Sequence, residues 1–291
     1  MPTYLHKMPK LHPDWLVPQW PAPSSVQAVF TTRAGGVSQG RYASLNLGDH
    51  VGDAPADVAS NRARLQDALG VAPHFLQQVH GTACVALPEQ AADVPAQADA
   101  VFITHTGRAC TVMVADCLPV LFTDRGGRFV AAAHAGWRGL AAGVLAQTLA
   151  RVFQEFKSNT AQSLVAIEVD ASEIIAWLGP CIGPQAFEVG LDVLQAYTEL
   201  DPAHAAHFKP LPAGGCAKSG IEQAGRSEPS KPKYVADLAA LARDQLKRLG
   251  VTEIHGNDSS PSWCTVSNSG FFSHRRDGIS GRMAACIWLR G

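Results

Sequence analysis

The chain has 291 residues, of which 46% are hydrophobic and 17% charged, with a formal net charge of −1. That is enough apolar material for the core of one large domain. The charge is too balanced to favour nucleic acid or an anionic membrane as partner, so function has to be read from local chemistry.

Residues 1–23 are studded with prolines and form an N-terminal extension with no continuous apolar core. They match neither a signal peptide nor a membrane anchor. No later stretch reaches the roughly 18 apolar residues of a spanning helix. The seven cysteines are odd in number and never closely paired, which argues against a disulfide framework. The expectation is a cytoplasmic protein in a reducing compartment.

In chain order, 24–33 reads as a strand and is followed by a long glycine-rich loop over 34–53. Loops of that length are uncommon unless functional. A helix starts near Asp53, with Val58, Leu65 and Leu69 on one face and Gly70 closing it. "HFLQQVHGTACVAL" reads as one or two strands broken at His80 and Gly81, and "ADAVFITH" as another. "ACTVMVADCLPVLFTD" is a near-continuous apolar run, expected of a strand covered on both faces. "RFVAAAHAGW" repeats the pattern after a hairpin turn at "DRGGR". A helix follows, with apolar residues from Leu140 to Phe156 at helical spacing. "EIIAWLGPCIG" is a strand leading to a helix over about 184–199. Residues 201–233 are polar and rich in Pro, Gly and Ser, which reads as a surface insertion or mobile loop. Asp237 caps a helix that Gly250 closes, and the C-terminal segment reads as a hairpin turning at Asp277 and Gly278. Clustered strands with helices between the clusters predict a single α+β domain, sandwich-like, with a mixed sheet flanked by helices.

Three residues stand at the ends of apolar strands beside a glycine or a polar residue: His80 in "QQVHG", Cys117 in "ADC" and His134 in "AHAGWRG". One thiolate and two imidazoles suit zinc in tetrahedral geometry, and three protein ligands leave the fourth position open for catalysis. The same residues also suit a metal-free pair in which Cys117 attacks, a histidine takes the proton and Asp116 orients. The spacing does not separate the two. Arg33 and Arg138 flank glycine turns, and Arg138 also sits at a helix start, where a guanidinium favours an anion such as phosphate. Asn46 and His50, in the glycine-rich loop, read either as readers of a ligand's polar edges or as turn residues.

The blocks "FTTRAGGVSQGRYASLNLGDHVGD", "QQVHG", "ADCLPVLF", "AAHAGWRG", "LGPCIGPQAFEVG" and "FFSHRRDGISGRM" resemble, in order, those of the laccase-domain family. Its members have been called multicopper polyphenol oxidoreductases and, later, purine nucleoside phosphorylases. The resemblance implies a fold similar to the catalytic domain of cytotoxic necrotizing factors. It also implies a zinc site at His80, Cys117 and His134, with Arg33 in the active centre. The implied activities are phosphorolysis of adenosine, inosine, guanosine and methylthioadenosine, and deamination of adenosine. The implied partners are therefore a small nucleoside and phosphate, acted on by a monomer or small homo-oligomer. On this reading Arg33, Asn46 and Arg138 bind substrate, and Asp116 carries a proton or orients a ligand histidine.

Two other enzymes use the same residues. A copper oxidase would add an axial methionine, for which Met113 is the candidate, and a histidine-rich cluster. The chain has 11 histidines but no His-x-His. An amidase editing peptidoglycan precursors would use the same zinc or Cys-His site. A structural zinc in an interaction module is the non-enzymatic alternative.

Overall fold

The computed structural model describes residues 11–88, 95–160, 170–212 and 231–291. The first half of the chain forms β1 (Val26–Phe30), α1 (Pro55–Leu69), β2 (Ala72–His74), β3 (Cys84–Ala86), β4 (Ala100–Ile103), β5 (Arg108–Val114), β6 (Leu118–Asp124) and β7 (Val130–Ala135). Next come α2 (Trp137–Ala141), α3 (Val144–Thr160), β8 (Ile174–Leu178), β9 (Glu188–Gly190) and α4 (Leu191–Thr198). The remainder forms β10 (Phe208–Pro210), β11 (Lys233–Ala236), α5 (Leu238–Arg248), β12 (Glu253–Gly256), α6 (His274–Asp277) and β13 (Met283–Leu289).

The fold is α+β, with helices outside two facing sheets. A six-stranded mixed sheet has the order β12-β8-β6-β7-β4-β3, and a four-stranded one the order β1-β13-β5-β2. Alternation along the strands builds three apolar layers. Val101, Leu121, Val130 and Ala132 of the larger sheet pack against Val112, Val114, Ala285 and Ile287 of the smaller one. The opposite residues of the larger sheet, such as Phe102, Val120, Phe122 and Ala133, pack under α3 and α5 through Leu145, Leu149, Leu241 and Leu246. On the far side of the smaller sheet, Ala109, Met113, Ala284 and Cys286 meet Leu65 and Leu69 of α1. Strands buried on both faces explain the continuous apolar runs in the sequence.

Three expectations change. The run over 109–124 is two strands in different sheets, not one. The chain crosses between them at 115–117, where Asp116 has φ 91°, a left-handed conformation. The C-terminal segment is not a hairpin: the Ser273 side chain accepts from the Arg276 N–H and starts α6, and Gly278 at φ 69° ends it. An Asp-Gly pair serves a helix end as well as a hairpin turn. The helix expected over 184–199 is shortened to α4, because the chain first forms β9, which pairs with β11. Of the 201–233 insertion, the described ends are ordered. A 3₁₀ turn over Pro202–His207 and β10 bury His204 and Phe208, and residues 213–230 lie outside the described residues. The six cysteines among the described residues are free thiols. No helix among those residues is long and apolar enough to cross a membrane.

Candidate metal centre and its cleft

Strand register brings the site together. Leu118 of β6 pairs with Ala135 of β7, and Ala100 of β4 pairs with Ala133. Cys117, His134 and Asp99 therefore lie side by side at one edge of three neighbouring strands. His80 approaches from the loop between β2 and β3, at φ 59°. The buried Asp99 carboxylate holds that loop: it accepts the backbone N–H groups of Val79 (3.2 Å), His80 (2.9 Å) and Gly81 (2.7 Å). It also accepts His134 Nδ1–H at 2.8 Å, so Nε2 is the ring nitrogen left for a ligand. Gly136 allows the close approach, since a Cβ there would lie 2.8 Å from His80 Cδ2 and 3.0 Å from Cys117 Sγ.

His80 Nε2 stands 3.6 Å from Cys117 Sγ, and the two imidazole rings are 4.8 Å apart, edge to face. The three donor atoms lie within 4.8 Å of one another. Two donors on one tetrahedral zinc stand roughly 3.4–3.6 Å apart, given Zn–N and Zn–S lengths of about 2.0–2.1 and 2.3 Å. The donor set fits a small divalent cation after shifts of an ångström or less. Electrostatics in the metal-free site favour a thiolate beside a charged imidazole, so a cation that takes His134 Nε2 displaces its proton. Burial works to raise the Cys117 thiol, but His134 and His80 beside it hold it down at about 6. Burial likewise works against a charged His134, and the Cys117 thiolate and Asp99 outweigh it, raising the imidazole to about 9. Asp99 is held below its ordinary value, its burial outweighed by the His134, Gly81 and Val79 hydrogen bonds.

The donors line one side of a cleft of about 880 Å³, a size suited to a small organic molecule. Arg138 stands in it, exposed, with its guanidinium 4.3 Å over the Trp137 ring. His50 and Asp116 also line it. Asp116 does not orient a histidine. One carboxylate oxygen accepts from Thr265 Oγ1 at 2.6 Å and the other from the Arg275 N–H at 2.7 Å, so it ties the crossover to a later loop and to the first turn of α6. Arg33 and Asn46 are not cleft-lining residues. Arg33 Nε donates to the Ala43 carbonyl at 2.8 Å, and the guanidinium lies 4.9 Å from the Phe272 ring centre, bracing the glycine-rich loop. Asn46 is fully buried with both amide atoms engaged.

Three residues escaped the sequence reading. Asp99 opens a strand and looks like an edge polar residue. Arg62 sits on α1, and Arg282 follows a glycine near the C-terminus; both line the cleft. The only early signal was that Arg282 falls inside the "GISGRM" block.

Residues 27–290 match the family model described as multi-copper polyphenol oxidoreductase laccase. A purine nucleoside phosphorylase of Pseudomonas aeruginosa is 42% identical over 95% of this chain and 98% of its own length. The purine nucleoside phosphorylase YfiH of Escherichia coli is 44% identical over 94% and 98%. Among solved structures, a Neisseria meningitidis protein superposes with a TM-score of 0.79 at 44% identity, covering 95% of this chain and 99% of that one. YlmD from Geobacillus stearothermophilus gives 0.70 at 30% identity over 92% and 93%. Matched almost end to end by the family model and by these relatives, the chain belongs to the multi-copper polyphenol oxidoreductase laccase family.

Proposed function

We propose that the protein is a zinc-dependent purine nucleoside phosphorylase acting on adenosine, inosine, guanosine and methylthioadenosine. The observation that carries this is the set of three donors, His80, Cys117 and His134, opening on a cleft that also holds arginines. The names of the relatives support the substrate class. In phosphorolysis a phosphate oxygen bonds to ribose C1′ as the bond to purine N9 breaks, and the leaving base takes up a proton. Zinc, when bound, supplies a Lewis-acid centre with one position open to an oxygen ligand. The chain's own residues do the rest. Asp99 fixes the His134 ring and the turn that carries His80. Arginine side chains balance the charge of phosphate and hold it beside the ribose. The Trp137 and Phe187 rings in the cleft wall offer apolar surface to a purine.

Adenosine deamination is proposed as a second activity of the same site, with water in place of phosphate. Zinc is preferred to copper because Met113, the candidate axial ligand, has its sulfur 4.0 Å from Arg62 Nη2 and is engaged there. Adenosine incubated with purified protein tests both activities. With phosphate, adenine and ribose 1-phosphate are expected; without it, inosine. Turnover of a muramyl-peptide precursor or a polyphenol, with none of adenosine, would replace this reading with the amidase or oxidase alternative.

A further inference from the structure

Four arginines line the cleft, and they differ in what already engages them. Arg138 is exposed and stacked on Trp137. Arg275 is exposed, with Nη1 donating to the Ala186 and Glu188 carbonyls. Arg62 stands 3.2 Å from Asp49 and donates Nε to the Leu47 carbonyl. Arg282 is different. It is half-buried, and no carboxylate among the described residues lies within ion-pair distance of it. Burial works against its charge, and Cys117 and Asp116 support that charge from a distance without contacting the guanidinium, which leaves donors free to meet an anion.

The chain holds this guanidinium by several contacts. Nη1 donates to the Ser280 carbonyl at 3.0 Å and to that of Gly281 at 3.2 Å. The Arg282 backbone N–H donates to Asn46 Oδ1 at 2.9 Å, and its carbonyl accepts the Leu47 N–H at 3.1 Å. Asn46 is kept in place by Asp53, whose carboxylate accepts from Nδ2 at 2.9 Å. The Arg282 stem lies on Gly48, where a Cβ would come within 2.7 Å of its Cγ. The Nε–Nη2 edge has no hydrogen-bond partner among the described residues. That edge is the fork that matches two oxygens of a phosphate.

We infer that the Nε–Nη2 edge of Arg282, positioned by Asn46 and Gly48, anchors a phosphate-type oxyanion in the cleft beside the metal ligands. The identity of that anion as the second substrate rests on the phosphorolysis reading; the site itself does not. Asn46 and Gly48 are positioning residues on this account, acting through Arg282.

The test uses the full chain and two variants, Arg282→Gln and Gly48→Ala. Inorganic phosphate binding is measured by calorimetry, and the KM for phosphate at fixed adenosine by product formation. Both variants are expected to weaken phosphate binding and raise its KM by about tenfold to a hundredfold. Zinc content and the KM for adenosine should stay within about twofold. Gly48→Ala removes no charge, so a matching loss there separates positioning from simple electrostatics. Unchanged phosphate binding in Arg282→Gln, or none in the wild type, overturns the inference. Phosphate binding that depends on Arg282, in a protein that does not phosphorolyse nucleosides, upholds the anion site and sinks the proposed function instead. Binding of a sugar phosphate but not of inorganic phosphate, lost in Arg282→Gln, identifies the anion as part of an organic substrate and likewise overturns the co-substrate role.

Discussion

Asp99 and His134 are joined twice: the His134 backbone N–H donates to the Asp99 carbonyl at 2.7 Å, and the His134 ring donates to its carboxylate at 2.8 Å. Through the same carboxylate Asp99 also grips the turn bearing His80. One buried side chain therefore sets both imidazoles. Asp99→Asn replaces an all-acceptor group by one whose amide hydrogens face backbone donors. It is expected to lower zinc affinity by about 10- to 100-fold, read by competition with a coloured chelator. Unchanged affinity would remove Asp99 from the account.

Gly136 faces Cys117 across the β6–β7 register and leaves no room for a side chain. Gly136→Ala should push His80 away from the thiolate. The expected outcome is a folded protein, by circular dichroism, with less than stoichiometric zinc and about one tenth of the wild-type activity or less.

The metal-free protein should carry an unusually reactive cysteine. Cys117 sits at about 6, below the ordinary thiol, because the two imidazoles favour its thiolate. A lowered thiol value means that the anion is present above it and lost below it. The alkylation rate of Cys117 by iodoacetamide should therefore rise about tenfold from pH 5 to 7 and then level off. Burial raises Cys84 and Cys286 to about 12 and lifts Cys110 and Cys181 well above the ordinary thiol, so these four should stay silent over the same range; Cys264, buried but lowered by hydrogen bonds, is told apart from Cys117 by peptide mapping. Zinc should abolish the Cys117 reaction. A rate still climbing beyond pH 8 would contradict the thiolate assignment.

Asp116 predicts a stability effect. It accepts from Thr265 and from the Arg275 backbone while nearly buried, and it holds a left-handed conformation. Asp116→Ala leaves those donors unmet and should destabilise the fold by about 2–4 kcal/mol, measured by urea denaturation. Asp116→Asn should recover part of that loss, since it keeps an acceptor oxygen and tolerates the positive φ.

How far the sequence reached follows from where each signal lies. His80, Cys117 and His134 were legible because each follows an apolar run and stands next to a glycine or a polar residue, although only His134 lies within a strand. The chemistry of the three residue types suited one ion but also a metal-free Cys-His pair, and only the family resemblance favoured the ion. Asp99 was not legible, because its partners lie 18 to 35 positions away and no local pattern marks a carboxylate that serves three backbone donors and a ring. The split of 109–124 was hidden for a related reason. Both halves are buried on both faces, so the apolar run carries no break, and only the backbone at Asp116 marks the passage between sheets. The resemblance put Arg33 in the active centre, and Asn46 was read either as a ligand contact or as a turn residue. The structure has them one layer back, where they brace the loop and Arg282, since a sequence block records that residues act together and not which of them touches the ligand.

Anomalous diffraction from crystals of the purified protein, collected on both sides of the zinc absorption edge, tests the central claim most directly. A single peak appearing only above that edge, about 2.3 Å from Cys117 Sγ and about 2.0–2.1 Å from His80 Nε2 and His134 Nε2, is the predicted result. A peak at the copper edge instead, or zinc bound anywhere other than among these three side chains, would contradict it.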